Sequence, residues 1–197
     1  RPPRSTLFPY TTLFRSGIER NPIPPHYKIE KYIEKAELPF CHIRPSFFMQ
    51  NISGVHAFEI KEFNRIVVPV KKALTSFIDA EDIGEITAKV LSEPEKHKNK
   101  GYSITGGEAI DYNEVAKILS EELGREITYA NLKPSLAKQY WIQIRGLDKE
   151  YSTVMEMLYM MTRMGTAKKV TTVYKDIMNK EPQTFRQFVR KNIKSWI

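Results

Sequence analysis

Two hydrophobic periods trade places along this chain. Short apolar runs are each followed by stretches in which apolar residues return every three or four positions. Strands joined through helices produce that exchange, so the pattern implies an α/β fold with parallel strands, whose crossovers must be long enough to hold a helix. Residues 26–37 read as a first amphipathic helix, with Ile29, Tyr32, Ile33 and Ala36 on one face. Residues 38–43 follow as a short buried strand that Arg44-Pro45 ends, because proline cannot donate into a ladder. Residues 66–70 and 76–79 are further extended runs. Asp79 or Asp82 can cap a helix reaching Leu91, with Ile83, Ile86, Val90 and Leu91 turned inward. Residues 102–105 form a strand closed by Gly106-Gly107, and Asp111 opens a helix to Leu123 with Gly124 as its C-cap. Residues 127–132 are the last strand. From Pro134 onward only helical periods remain, broken near Gly146, Gly165 and Pro182.

Length and charge narrow the classes. The 197 residues, 41% of them hydrophobic, suffice for one domain with a core and exclude wholesale disorder. No apolar run reaches the roughly 18–20 residues of a membrane span. The single cysteine, Cys41, excludes an internal disulfide framework and makes a reducing cytoplasm the expected compartment. A net charge of +8 would suit an anionic partner such as nucleic acid. Residues 1–16 (RPPRSTLFPYTTLFRS) hold three of the arginines, no acid and no period, and lack the apolar region of a secretory signal. They resemble a translated sequencing adapter along their whole length; a transit-like leader is the competing reading. The protein's own sequence is expected to begin near Gly17. Without Arg1, Arg4 and Arg15, 28 basic residues face 23 acidic ones, a net +5 spread with no dense patch. Nucleic acid is therefore not an expected partner.

Several motifs admit two readings. Tyr27 and Lys31 have the tyrosine–lysine spacing of short-chain dehydrogenases, one helical turn apart, where a lysine can lower a tyrosine pKa. In a lysine-rich chain they are equally two surface residues beside an apolar stripe. Ser46, Phe47, Phe48, Met49, Gln50 and Asn51 directly follow a strand, where α/β sheets bind ligands. Their rings and amides could line a flat aromatic ligand, or the loop could simply pack two phenylalanines into the core. His42 and His56 lack partners at a metal-ligand spacing, so no metal site is expected, and His97 lies in a charged stretch that reads as a solvated loop. Residues 151–164 carry Met155, Met157, Met160, Met161 and Met164; Val154, Leu158, Met161 and Gly165 share a face that suits core packing or a lid over a pocket. Arg186, Arg190, Lys191 and Lys194 form a basic helix face of the usual solvated kind. No G-x-G-x-x-G occurs anywhere, so the turn that lets backbone approach a dinucleotide pyrophosphate is not supplied.

The segments HYKIEKYIEKAELPFCHIRPSFFMQN, TSFIDAEDIGEITAKVL and EPQTFRQFVRKNIKSW, in that order, resemble the NmrA-like family of atypical short-chain dehydrogenase/reductases that bind NAD(P). The resemblance implies the C-terminal part of a Rossmann-like, doubly wound parallel sheet (residues 17–132), followed by a smaller, mostly helical region over the substrate cleft (residues 133–197). It places the family's glycine turn and first strands ahead of Gly17, so a chain without them is expected to be neither catalytic nor well folded alone. It assigns Ser46, Phe47, Phe48, Met49, Gln50 and Asn51 to the nicotinamide side of the cofactor. Glu30 matches the family's helical acidic residue, which sets His26 at the active-lysine position and Pro22 where a catalytic tyrosine would stand. Tyr27 and Lys31 are then out of register with that pair. The implied function is reduction of a small quinone-like or carbonyl substrate with NAD(P)H. Phe47, Phe48 and the methionine helix would form the pocket, and His26 and Asn51 its polar contacts to cofactor. The missing tyrosine keeps a second function open: an NAD(P)-sensing redox regulator acting through a protein partner.

Overall fold

The structure is a computed structural model that describes residues 26–197; the adapter-like segment, the proline-rich entry at 21–25 and Pro22 lie outside the described residues. Strand β1 (Cys41–Pro45) pairs in parallel with β3 (Lys100–Ile104), Ile43 opposite Tyr102. Strand β2 (Arg65–Val67) pairs in parallel with β4 (Thr128–Ala130), Ile66 opposite Tyr129. Helix α1 (His26–Lys35) precedes β1. Helices α2 (Gln50–Ser53), α3 (Ala57–Phe63), α4 (Ala80–Ser92), α5 (Pro94–His97) and α6 (Tyr112–Leu123) lie between the strands. The α/β class is thus observed directly. After β4 the described residues contain only helices: α7 (Pro134–Gln143), α8 (Lys149–Arg163), α9 (Val173–Met178), α10 (Phe185–Lys191) and a closing 3-10 turn (Ile193–Ser195).

Local chemistry explains the element ends. The Asp79 side chain accepts from Glu81 N–H at 3.0 Å, and Asp111 accepts from Asn113 and Glu114 N–H at 2.9 Å. Each cap satisfies donors that a helix start leaves open, an effect of about 1 kcal/mol. Gly124 stops α6 in the left-handed region at φ 65, where a Cβ is disfavoured. The first strand sits later than its apolar run suggests: Leu38 is exposed, and Pro45 is its last residue, where no ladder donor is needed. Leu91 is 73% exposed rather than inward, because it lies one helical step past the buried Ile86 and Val90.

β1 alternates strictly. Cys41 and Ile43 face α4 in a small core with Ile78, Ile86, Val90, Ile104 and Tyr174, while Arg44 faces α1 and meets Glu30. A larger core gathers residues from Phe47 to Trp196, including Ile52, Ile66, Trp141, Tyr159 and Phe188. Both β2 and the late helices therefore pack on one apolar mass. The basic face of α10 is not merely solvated. Arg186 bonds Glu121 and Glu122 of α6 at 2.6 and 2.7 Å, and Arg190 bonds Glu122 at 2.8 Å. His97 is likewise buried rather than solvated, its Nδ1 2.8 Å from the Tyr102 hydroxyl.

Candidate functional site

Parallel pairing puts the carboxyl ends of β1 and β3 side by side, Pro45 opposite Ile104. The loops that leave them are stitched to each other and to the segment before α4. Ser46 N–H donates to Ile104 O at 2.8 Å, Met49 N–H to Ile78 O at 2.9 Å, and Ile78 N–H to Phe47 O at 2.8 Å. Gly106 completes the junction, since a Cβ there would lie 2.0 Å from Phe77 O. Beside this junction opens a groove floored by Met49, Phe77, Ile110 and Phe185, with Gly107 and Pro182 in its walls. Glu108 and Glu181 stand at its edge, and Gln183 lines it with an Oε1 that is buried without a hydrogen-bond partner. An apolar floor with few polar groups, at the carboxyl ends of parallel strands, is where an α/β fold takes a small molecule.

The residues singled out in the sequence divide sharply here. Met49 lines the groove. Ser46 is buried and shares a hydrogen bond with Ser76 Oγ at 3.0 Å. Phe47 is 1% exposed and lies behind the groove, stacked on Tyr159 with centroids 6.3 Å apart. Phe48 packs against the small core. Gln50 latches the loop to α4, donating to Asp79 Oδ1 at 2.6 Å and accepting from Ala80 N–H at 3.0 Å. Asn51 is half-buried and its amide makes no hydrogen bond among the described residues. His26 opens α1, and no hydrogen bond or ion pair joins it to this loop. Lys31 bonds Glu34 at 2.6 Å and lies 5.8 Å over the Tyr27 ring, so the pair is a cation–π contact on α1.

The methionine helix is α8, and its buried face differs from the expected one: Ser152, Met155, Leu158, Tyr159 and Thr162, with Met160 and Met164 exposed. Tyr159 and Leu158 dominate it, so α8 forms a wall behind Phe47. Tyr159 also ends a buried polar chain that the sequence did not suggest. A carboxylate only accepts, so His56 Nδ1–H donates to Glu59 Oε1 at 2.6 Å, which leaves Nε2 to accept from Tyr159 O–H at 2.5 Å. Arg145 binds the other Glu59 oxygen. His56 and Glu59 are three residues apart, but their partners come from distant segments, Tyr159 from α8 and Arg145 from the turn after α7. Burial holds the Tyr159 hydroxyl well above its ordinary range, with the neighbouring Tyr112 adding to the effect. This tyrosine keeps its proton and acts as a structural donor. Burial also raises the Asp82 carboxyl, against the lowering effect of the Gln183 N–H that it accepts at 2.8 Å.

The fit to a nicotinamide dinucleotide is uneven. Of the loop residues singled out in the sequence, Met49 lines the groove, whereas Asn51 lies on α2 outside the groove lining. At α4, α6 and α8 the carboxylates of Asp79, Asp111 and Asp148 occupy the N-terminal donors that a phosphate would use.

Comparison with known proteins is consistent with this architecture. The profile of the NmrA-like family matches residues 21–189. Agroclavine dehydrogenase of Claviceps fusiformis is 32% identical over 159 residues, which is 79% of this chain and 54% of that protein. The NAD(P)H azoreductase of Xenophilus azovorans is 27% identical over 161 residues, 82% of this chain and 55% of that one. The chain spans about half the length of these curated relatives. Among solved structures, the NADPH-dependent quinone oxidoreductase of Escherichia coli, complexed with NADPH, matches with a TM-score of 0.79 at 17% identity. That match covers 85% of this chain and 58% of the other, and it shows the shared Rossmann-type fold. No described helix is long and apolar enough to cross a membrane.

Proposed function

The chain belongs to the NmrA-like family, and from that premise we propose that it forms the strand-end and helical side of an NAD(P)H-dependent oxidoreductase acting on a small quinone-like or carbonyl substrate. One observation carries the reading: the carboxyl ends of two parallel strands, at Pro45 and Ile104, adjoin an apolar groove floored by Met49, Phe77, Ile110 and Phe185. Flat conjugated rings suit such a floor. A bound reduced nicotinamide supplies the hydride, and this chain's residues place the acceptor beside it. Asn51 would contribute a polar contact to the ring end of the cofactor through its side-chain amide, and Met49 and Phe77 would exclude water from one face of the substrate. The curated relatives support the redox class, since one is a dehydrogenase and another an NAD(P)H azoreductase. With Tyr159 tied to His56 behind the groove, the proton that follows the hydride comes from solvent at the rim of Glu108 and Glu181.

The test is quinone-dependent loss of reduced-nicotinamide absorbance by the product of the full reading frame. Turnover is expected with at least one quinone, and Asn51→Ala should raise the KM for NADPH by roughly tenfold, about one lost hydrogen bond, with little change in melting temperature. Among the described residues no tyrosine lines the groove, which favours a second reading, a cofactor-sensing regulator. NADPH binding without turnover across quinones and carbonyls would establish that reading, and absence of NADPH binding would overturn both.

A further inference from the structure

We propose that Glu30 and Glu34 of α1 and His42 of β1 form a site for a borderline divalent cation of the zinc type, which fastens α1 to the sheet. Glu30 and Glu34 are one turn apart and share a helix face. His42 lies two residues before Arg44, on the strand face opposite Cys41 and Ile43. One ligand atom from each of the three lies within 4.8 Å of the others. His42 Nε2 is 3.4 Å from Glu34 Oε1. That separation matches neighbouring ligands on a tetrahedral ion, about 3.4 Å when the bonds are about 2.0–2.1 Å.

The second observation is the histidine itself. Its side chain is 9% exposed, and its Nε2 makes no hydrogen bond although a Glu34 oxygen lies 3.4 Å away. Buried polar atoms are nearly always partnered, so an exception asks for a ligand. The neighbours also hold the donors in place. Phe40 stacks on the His42 ring with centroids 4.4 Å apart. Arg44 forks the Glu30 carboxylate at 2.8 and 3.0 Å, and Lys31 bonds Glu34 Oε2 at 2.6 Å, the carboxylate whose Oε1 lies 3.4 Å from His42 Nε2. Gly101 makes room for that fork, since a Cβ there would fall 2.3 Å from the Arg44 guanidinium. Each bonded carboxylate oxygen retains a lone pair for a metal, and outer contacts of this kind orient metal ligands. Arg44 and Lys31 balance the two carboxylates, so the affinity is moderate. The imidazole selects zinc over magnesium or calcium, which prefer oxygen alone.

The site has a structural purpose. Helix α1 has no fully buried residue and leaves Ile29 and Tyr32 exposed, and the Arg44–Glu30 pair is one tie between it and β1. A cation that binds the folded form alone shifts the melting equilibrium by mass action. The full chain, titrated with zinc against a chromophoric chelator and melted with and without the metal, should bind one equivalent and melt several degrees higher. Magnesium at the same concentration should do neither. His42→Ala and Glu34→Gln should each weaken zinc binding by at least about tenfold, with far-ultraviolet circular dichroism confirming that the variants fold. Cys41→Ser, on the other strand face, and His97→Ala should bind as the parent does. No binding by the parent chain, or binding that survives both His42→Ala and Glu34→Gln, would overturn the site and leave His42 and Glu34 a bare ion pair.

Discussion

Glu59→Ala strikes a fully buried carboxylate that holds two partners at once, His56 at 2.6 Å and the Arg145 guanidinium. Each charge-assisted hydrogen bond contributes about 1.5–3 kcal/mol, so losing both costs about 3–6 kcal/mol before relaxation. Arg145 can relax in part: its side chain is 8% exposed and lies 5.0 Å over the Phe58 ring, close enough to the surface to regain some water. The expected loss is therefore about 3–4 kcal/mol, in the range for breaking a buried pair from one side. At roughly 2–4 °C per kcal/mol for a chain of this size, the melting temperature falls by about 6–16 °C. Urea unfolding followed by the fluorescence of Trp141 and Trp196, both fully buried, reads the loss directly. Glu59→Leu combined with Arg145→Met removes the charge from both sides and should recover much of the Glu59→Leu penalty, because no ion is left unpaired. A Glu59→Ala loss under about 1 kcal/mol, or a double variant that loses the sum of its singles, would refute the coupling.

Asp82→Asn addresses the second buried carboxyl. Burial holds the Asp82 carboxyl above the ordinary value of 3.8, so the native state binds a proton that the unfolded chain releases. That contribution to stability is complete below 3.8 and is lost as the pH rises through the native value. Asparagine keeps an oxygen for the Gln183 N–H, so the variant should be at least as stable near neutral pH and should show a flatter melting-temperature profile just above pH 3.8; a steeper profile would contradict the assignment. Gly106→Ala should destabilise the chain by several degrees and disturb the groove, since its Cβ would meet Phe77 O at 2.0 Å; an unchanged melt would show that the strand-end junction is looser than the structure has it.

Which parts of this molecule were legible follows from how far each determinant reaches along the chain. A cap acts over two or three residues, so Asp111 and Gly124 mark their helix ends in the sequence itself, while for α4 the sequence offers Asp79 or Asp82 and the structure selects Asp79. The α/β class and the family were legible because they rest on the order of many short segments. Helix faces were less so. Leu91 and the methionine stripe were each assigned by period alone, and period does not say which of two apolar edges the neighbouring helix covers. The buried chain through His56 was out of reach, with Tyr159 lying 103 residues away and Arg145 86 residues from Glu59. The groove draws its lining from four separated segments, around Met49, Phe77, Ile110 and Phe185, which no local pattern marks. Glu34 and His42 meet for the same reason, helix against strand.

The strand-end loop shows what this means for the proposed chemistry. Its aromatic residues drew attention as a ligand surface, yet the loop is sewn by backbone bonds to Ile104 and Ile78, which leaves little freedom in where its side chains point. Phe47 goes into the core against Tyr159, Phe48 goes toward α4, and Met49 is the member left lining the groove. The phenylalanines therefore anchor the loop in the two cores, and on the proposed function substrate choice would fall to Met49 together with Phe77 and Phe185. Methionine adapts its three rotatable bonds to differently shaped ligands at small cost. A groove with one adaptable wall and two fixed aromatic ones suits a range of flat substrates better than a single one. On the proposed function, exchanging Met49 for leucine should narrow that range, while exchanging Phe47 should act through stability instead.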